Sequence, residues 1–177
     1  MNVINIQSYK TKLGELLIGD YNETLCLLDW KFRKARTQVD TRICHYLQAG
    51  YKEMPTPLHE KVMEQLQEYI KGNRKTFDIP LSLAGSAFQQ HVWERLLQIP
   101  FGKTISYLEL ARQLGDEKAV RAVAAANGAN AISIVVPCHR VVGSKGELTG
   151  YAGGIRTKKL LLQLEGTYNQ AELFTIE

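Results

Sequence analysis

The chain of 177 residues has little to hold it together covalently: three cysteines, Cys26, Cys44 and Cys138, none in a CxxC spacing. An odd number cannot all pair and no CxxC spacing is present, so neither a disulfide framework nor a four-ligand zinc site built by spacing is expected. Cys44-His45 offers two donors with no second pair near it, so neither metal nor cofactor is expected. No run approaches the ~18 apolar residues that span a bilayer, and the N-terminus lacks a basic segment followed by an apolar core. Membrane attachment is therefore not expected. A reducing, cytoplasmic compartment follows, and it suits a free thiol. Charge of neither sign is gathered into a block, and the formal net charge is +4. That mild excess permits nucleic-acid binding without demanding it; any basic face must be assembled by folding. Internal repeats and low-complexity stretches are also lacking, and a hydrophobic share of 45% excludes wholesale disorder.

What is present reads as α/β, in one ordinary domain or two small ones. Val3-Ile4-Asn5-Ile6 alternates, and Leu16-Leu17-Ile18 and Thr24-Leu25-Cys26-Leu27-Leu28 follow, separated by the turn candidates Lys12–Glu15 and Asp20–Glu23. An antiparallel meander is the simplest fit. The charged stretch from Lys31 to Pro55 is ambiguous. From Pro57 the period changes, and Leu58, Val62, Leu66, Tyr69 and Ile70 share a helical face that stops at Gly72. Asn73 to Gly85 is polar, then extended, and marks the expected boundary between residues 1–80, an α+β domain with an antiparallel sheet, and residues 81–177, a mainly helical domain. Ser86 is placed to cap a helix carrying Phe88, Val92, Leu96 and Leu97.

From Thr104 the pattern is helix, tight turn, helix. Ser106 caps Tyr107–Leu114, Gly115 supplies the turn, and Glu117 to Ala126 forms a second helix. In a helix-turn-helix unit this would be the recognition helix, yet it is rich in alanine and lacks the long polar side chains that read base edges. With Arg121 as its single long cationic arm, it suits close, sequence-independent contact with duplex DNA, through the minor groove. A helical hairpin with its alanine face packed inside the protein fits the composition equally well.

Pro137-Cys138-His139-Arg140 follows the apolar run Ile132–Val136, which reads as a buried strand delivering a thiol beside an imidazole and a guanidinium. Neighbouring positive charge or a hydrogen-bonded base lowers a thiol's pKa from about 8.5 and makes it a nucleophile. Asn130 precedes the run, Tyr107 opens the first helix of the pair, and Gly150-Tyr151-Ala152-Gly153-Gly154 forms a glycine-rich loop. A last amphipathic helix, Thr157 to Glu165, ends at Gly166. Glu165 at its C-terminus opposes the helix dipole, which a partner such as His139 would offset.

With that motif, with Tyr151-Ala152-Gly153-Gly154 and with Leu164-Glu165-Gly166, the chain resembles the methylated-DNA–protein-cysteine methyltransferases, the O6-alkylguanine-DNA alkyltransferases, and most closely their bacterial constitutive type. The resemblance is strong over residues 86–177 and general over residues 1–80. It implies a ribonuclease-H-like N-terminal domain and a winged helix-turn-helix C-terminal one. Cys138 would be the alkyl acceptor, His139 the base reached through a water, Glu165 the carboxylate fixing His139, Asn130 a brace and Tyr107 a donor to the departing guanine. Arg121 would fill the gap left by a flipped nucleotide, with Ala122, Ala125, Ala126, Gly128 and Ser144 completing the DNA-binding surface. Tyr107, Val141, Tyr151, Ala152, Gly153 and Lys158 would line the base pocket, with Lys158 near its rim. Ala152 stands where the family often has serine, and Gly128 where a basic residue can occur. The zinc ligands of some animal members have no counterparts. The implied activity is stoichiometric transfer from O6-methylguanine, and from O4-methylthymine, to Cys138 of a monomer. A Cys-His-Glu hydrolase and a catalytically silent damage sensor are the competing readings.

Overall fold

A computed structural model describes residues 2–168. Three strands form the expected meander: β1 (Asn2–Thr11), β2 (Gly14–Tyr21) and β3 (Thr24–Trp30). Asn22 and Glu23 close the second hairpin with φ of 48° and 61°, the left-handed pair that matches the twist of the flanking strands. The ambiguous charged stretch becomes α1 (Arg36–Leu47) and a fourth strand, β4 (Ala49–Glu53). β4 lies parallel to β1, so the sheet order is β3-β2-β1-β4 and the sheet is mixed. Nothing in β4 alternates strongly, which is why its residues do not announce a strand.

Helix α2 (Pro57–Ile70) starts where Thr56 Oγ1 accepts from the His59 amide and ends before Gly72, at φ 81°. Val62, Leu66 and Tyr69 are buried against Leu16, Ile18, Leu25 and Leu28 on one sheet face. Val39 and Ile43 of α1 cover the other face, meeting Ile4, Cys26 and Leu27. Strand β3 is therefore apolar on both sides, and its unbroken Leu25–Leu28 run reflects that double burial.

The free edge of β3 is closed by segments that follow α2. Leu25 exchanges backbone hydrogen bonds with Pro80 and Ser82, and Leu28 with Ala131 and Ser133. Peptide groups left open at a sheet edge thus hold two later segments of the chain.

α3 (Ala87–Leu96) begins with a reciprocal capping box between Ser86 and Gln89. Its buried residues are Val92, Trp93 and Leu96, whereas Phe88 and Leu97 of the expected stripe are exposed. Trp93 explains the rotation: its indole N–H donates to the Ala126 carbonyl at 2.8 Å, turning that side of α3 inward. Two-residue strands β5 (Ile105–Ser106) and β6 (Val141–Val142) pair in parallel. Ser106 caps α4 (Tyr107–Gln113), Gly115 turns with φ 94°, and a short 3-10 turn, Glu117–Ala119, leads into α5 (Val120–Gly128). The second helix therefore starts later than expected and runs on through Gly128. α6 (Ile155–Leu164) ends the described core. Met1 and residues 169–177 of the two expected domains lie outside the described residues. Among the described residues no helix is long and apolar enough to cross a membrane.

Candidate active site

Cys138 is 4% exposed and opens a 3-10 turn, Cys138–Arg140. The expected strand before it does not form. Ile132 makes a single bridge to Leu28, and residues 133–136 fold into a tight loop in which Ile134 takes φ 72°. A β-branched residue is strained there and persists only where its surroundings hold it. Asn130 does the holding. Its Oδ1 accepts from the Ile132 amide at 2.9 Å, and its Nδ2 donates to the Val136 carbonyl at 2.9 Å, pinning both ends of the loop. A strand would leave those groups to a neighbour; the amide of Asn130 replaces it.

His139 and Glu165 are both buried, with His139 Nε2 3.2 Å from Glu165 Oε1. Burial works against the Glu165 carboxylate, but hydrogen bonds from His139 and Arg140, and their charge, outweigh it and hold its pKa at about 2. Ionised, Glu165 only accepts, so Nε2 carries the imidazole proton. Nδ1 of His139 is then the basic nitrogen, and it is buried with no hydrogen-bond partner. Burial also lowers the His139 pKa, against the pull of Glu165, so the ring is neutral and able to take a proton.

Arg140 does not serve the thiol as the motif suggested. Its guanidinium forks onto Glu165, with Nη2 to Oε1 at 2.6 Å and Nε to Oε2 at 3.0 Å, and Nη1 donates to the Ile99 carbonyl at 2.6 Å. This fork offsets the cost of a carboxylate at the C-terminal end of α6. A fourth group completes the cluster: the Tyr69 hydroxyl of α2 donates to Glu165 Oε1 at 3.1 Å.

Burial raises the Cys138 pKa, while the Asn130 amide and the Lys158 charge draw it down. Its resting form is the thiol. Lys158 is not at a rim; it is fully buried, donating to the carbonyls of Val141 at 2.7 Å and Thr149 at 3.1 Å. Burial lowers its pKa to about 8, opposed by Cys138. The Tyr107 hydroxyl rests on the Thr149 carbonyl at 3.2 Å. Tyr151 stands edge-on to both His139 and Trp30, with centroids 6.5 and 6.1 Å away. Gly153 passes so close to Trp30 that a Cβ would sit 2.6 Å from the indole. The glycine loop is thus required by packing against β3.

An open groove of about 840 Å³ runs beside these groups. Arg121, Gly128, Tyr107, Tyr151, Ala152 and Gly153 all line it. Arg121, Ala122, Ala125, Gly128 and Ser144 are exposed, but Ala126 is 4% exposed and faces the core, so it leaves the expected DNA-binding set. The α5 stripe of Val123, Ala126 and Asn127 is the inward one. Residues 32–35, which the sequence left unread, line the groove as well. Arg33 anchors them, donating to Asp29 at 3.0 Å and to the carbonyls of Gly128 at 2.7 Å and Asn130 at 3.2 Å. An Asp-x-x-x-Arg pair straddling a strand end was the one available signal. Among the described residues no three His, Cys, Asp or Glu side chains gather as a metal site.

The geometry defines a class: a buried cysteine thiol followed by a carboxylate-held imidazole, in a half of the chain that carries a helix-turn-helix. Comparison with known proteins narrows it. Residues 4–83 match the model for the 6-O-methylguanine DNA methyltransferase ribonuclease-like domain, and residues 87–167 that for the DNA binding domain. The chain is 43% identical over 158 residues to the methylated-DNA–protein-cysteine methyltransferase of Shigella flexneri, covering 88% of this chain and 92% of that one. It is 42% identical over 165 residues to the constitutive enzyme of Bacillus subtilis, with the same coverage, 88% and 92%. The structure of Mycobacterium tuberculosis O6-methylguanine methyltransferase superposes with a TM-score of 0.76 at 36% identity, over 98% of this chain and 99% of that one. The same protein in complex with DNA gives a TM-score of 0.79 at 37% identity, again over 98% and 99%. This chain belongs to the methylated-DNA–protein-cysteine methyltransferase family.

Proposed function

We propose that this protein repairs O6-methylguanine, and O4-methylthymine, in duplex DNA by moving the methyl group irreversibly onto Cys138. The single observation that carries this reading is the pairing of a buried, protonated Cys138 with a neutral His139 whose Nδ1 is open and whose Nε2 is fixed by Glu165. The lesion lies inside the base stack, so the nucleotide is flipped out, at a cost of a few kcal/mol. Arg121, exposed on α5, fills the space it leaves, and the minor groove receives the alanine face of Ala122 and Ala125.

The Sγ proton passes to His139 through a bridging water, and Glu165 stabilises the imidazolium that results. The thiolate attacks the methyl carbon in line. The S–C bond forms as the C–O6 bond breaks, and its electron pair stays on guanine. Tyr107 turns from Thr149 to donate to the departing base, which takes up a proton. Asn130 keeps the acceptor loop in place throughout. The product thioether has no carbonyl for water to attack, so each molecule acts once. A reducing cytoplasm belongs to this reading, because an oxidised sulfur could accept no methyl.

The protein acts as a monomer of two units divided near residues 80 and 81. The matched ranges, 4–83 and 87–167, also fall into two units, with their break a few residues later. Intact-protein mass spectrometry after incubation with O6-methylguanine duplex is expected to show one methyl gained in place of one hydrogen, absent in Cys138→Ser. Repeated turnover, as a hydrolase would give, or binding without mass gain, as a sensor would give, overturns the proposal.

A further inference from the structure

The turn between β3 and α1 is built as a rigid platform. Asp29 is fully buried and accepts from two arginines, Arg33 Nη1 at 3.0 Å and Arg36 Nη1 at 3.0 Å. Arg36 also donates to the Trp30 carbonyl at 3.2 Å, and the Arg33 amide does so at 3.3 Å. With both guanidinium groups turned inward, the two residues between and beside them point out. Phe32 is 77% exposed, more than any other large apolar side chain described, and Lys34 is exposed beside it. Lys31 Nζ lies 5.6 Å from the Phe32 ring centre.

A single exposed phenylalanine is ordinary on a protein surface. This one lines the 840 Å³ groove together with Arg121. The charged residues lining that groove are Arg33, Lys34 and Arg121, all cationic, with no carboxylate among them. Because Arg33 also binds the Gly128 and Asn130 carbonyls, the turn is fastened to the end of α5 and to the acceptor loop. A positive groove with an aromatic face set among cations is the chemistry that receives a nucleic-acid backbone and stacks on a base or sugar. An acidic peptide would be attracted by the cations but has no use for the exposed aromatic ring.

We propose that the Phe32–Lys34 turn is a second DNA-contacting element, supplied by the N-terminal half. In it Lys34 neutralises one phosphate of the flipped strand's duplex, and Phe32 stacks on a nucleotide beside the extruded one. This rests on the repair reading above and assigns the N-terminal half a share in holding the substrate. The turn's rigidity means that little ordering accompanies binding.

The test compares the full-length protein with Phe32→Ala, Lys34→Ala and, as a charge control, Lys12→Ala on the β1–β2 turn outside the groove. Each is measured for affinity to an O6-methylguanine duplex across a salt series and for its rate with free O6-benzylguanine. Phe32→Ala is expected to weaken duplex binding about 5- to 50-fold, from the loss of one stack, with the free-base rate unchanged. Lys34→Ala is expected to reduce the slope of log affinity against log salt by about one, and Lys12→Ala to leave it within error. Wild-type-like duplex affinity in both turn variants, or equal slopes for Lys34→Ala and Lys12→Ala, overturns the proposed contact while the repair reading stands. Failure of the wild type to bind the duplex at all removes both.

Discussion

Tyr69 of α2 and Glu165 at the end of α6 are 96 residues apart in sequence, yet the phenol donates to the carboxylate at 3.1 Å. Through this contact the N-terminal half reaches the group that orients His139. Tyr69 is wholly buried, packed against Phe77 and Phe101, so its hydroxyl has no solvent alternative.

Tyr69→Phe removes that donor without changing the packing of the ring. The expected loss of stability is about 1 kcal/mol, and the rate with free O6-benzylguanine is expected to fall several-fold. With one donor gone, Glu165 becomes a stronger acceptor toward His139, which favours the imidazolium and moves the acid limb of the rate–pH profile upward. An unaltered profile with lowered stability alone would show that Tyr69 is only a packing residue.

Acid is expected to destabilise the fold in two stages. The folded-state pKa of His139 lies below its usual 6.5, pushed down by burial, and that of His59, buried against Asp20, is lowered for the same reason. Below that value the unfolded chain binds protons that the folded chain refuses, so stability falls as pH drops. Glu165, at about 2 when folded against a usual 4.5, adds stability that is complete above 4.5 and lost as pH falls toward 2. Melting temperatures recorded from pH 8 to pH 3 should decline first below about 6.5 and again below about 4.5. His139→Gln should flatten the first stage in part and also shrink the second, because His139 is one of the two groups that hold the Glu165 pKa down.

Gly153→Ala would bring a methyl to 2.6 Å from the Trp30 indole. Either the glycine loop or β3 must move, at a cost of about 1–3 kcal/mol. Because Tyr151 and Ala152 share that loop, the free-base rate should fall along with the melting temperature. An unchanged rate in the variant would place the loop outside the base pocket.

Arg121→Ala alters an exposed side chain on α5, so thermal stability should stay within about 0.5 kcal/mol of wild type. Repair of methylated duplex is expected to slow at least about tenfold, since the extruded state loses its filler, while reaction with free O6-benzylguanine is retained. Equal losses on both substrates would remove the flipping role.

Local chemistry made much of this protein legible in advance. The meander, the Ser86, Ser106 and Gly115 punctuation and the amphipathic face of α2 depend on residues a few positions apart, and they stand where the pattern put them. Strand β4 was hidden because its polar, weakly alternating residues derive their pairing from β1 alone. The apolar run before Cys138 was misleading for the converse reason. Its periodicity fits a strand, but the side-chain amide of Asn130 supplies the hydrogen bonds a neighbouring strand would have offered.

The sequence by itself determined which residues have the right chemistry: a cysteine followed by a histidine, a glutamate closing the last helix, a lone arginine on an alanine-rich helix. Tertiary structure alone decided how they are used. It turned Arg140 from the thiol to Glu165, buried Lys158 under the Val141 carbonyl, faced Ala126 inward and joined Tyr69 and Arg33 to the site. The placing of Arg140, Lys158 and Arg33 depends on which charge finds a partner in three dimensions. In a low-dielectric interior an unpaired ion costs several kcal/mol, so each charged group is fixed by the partner that folding brings to it.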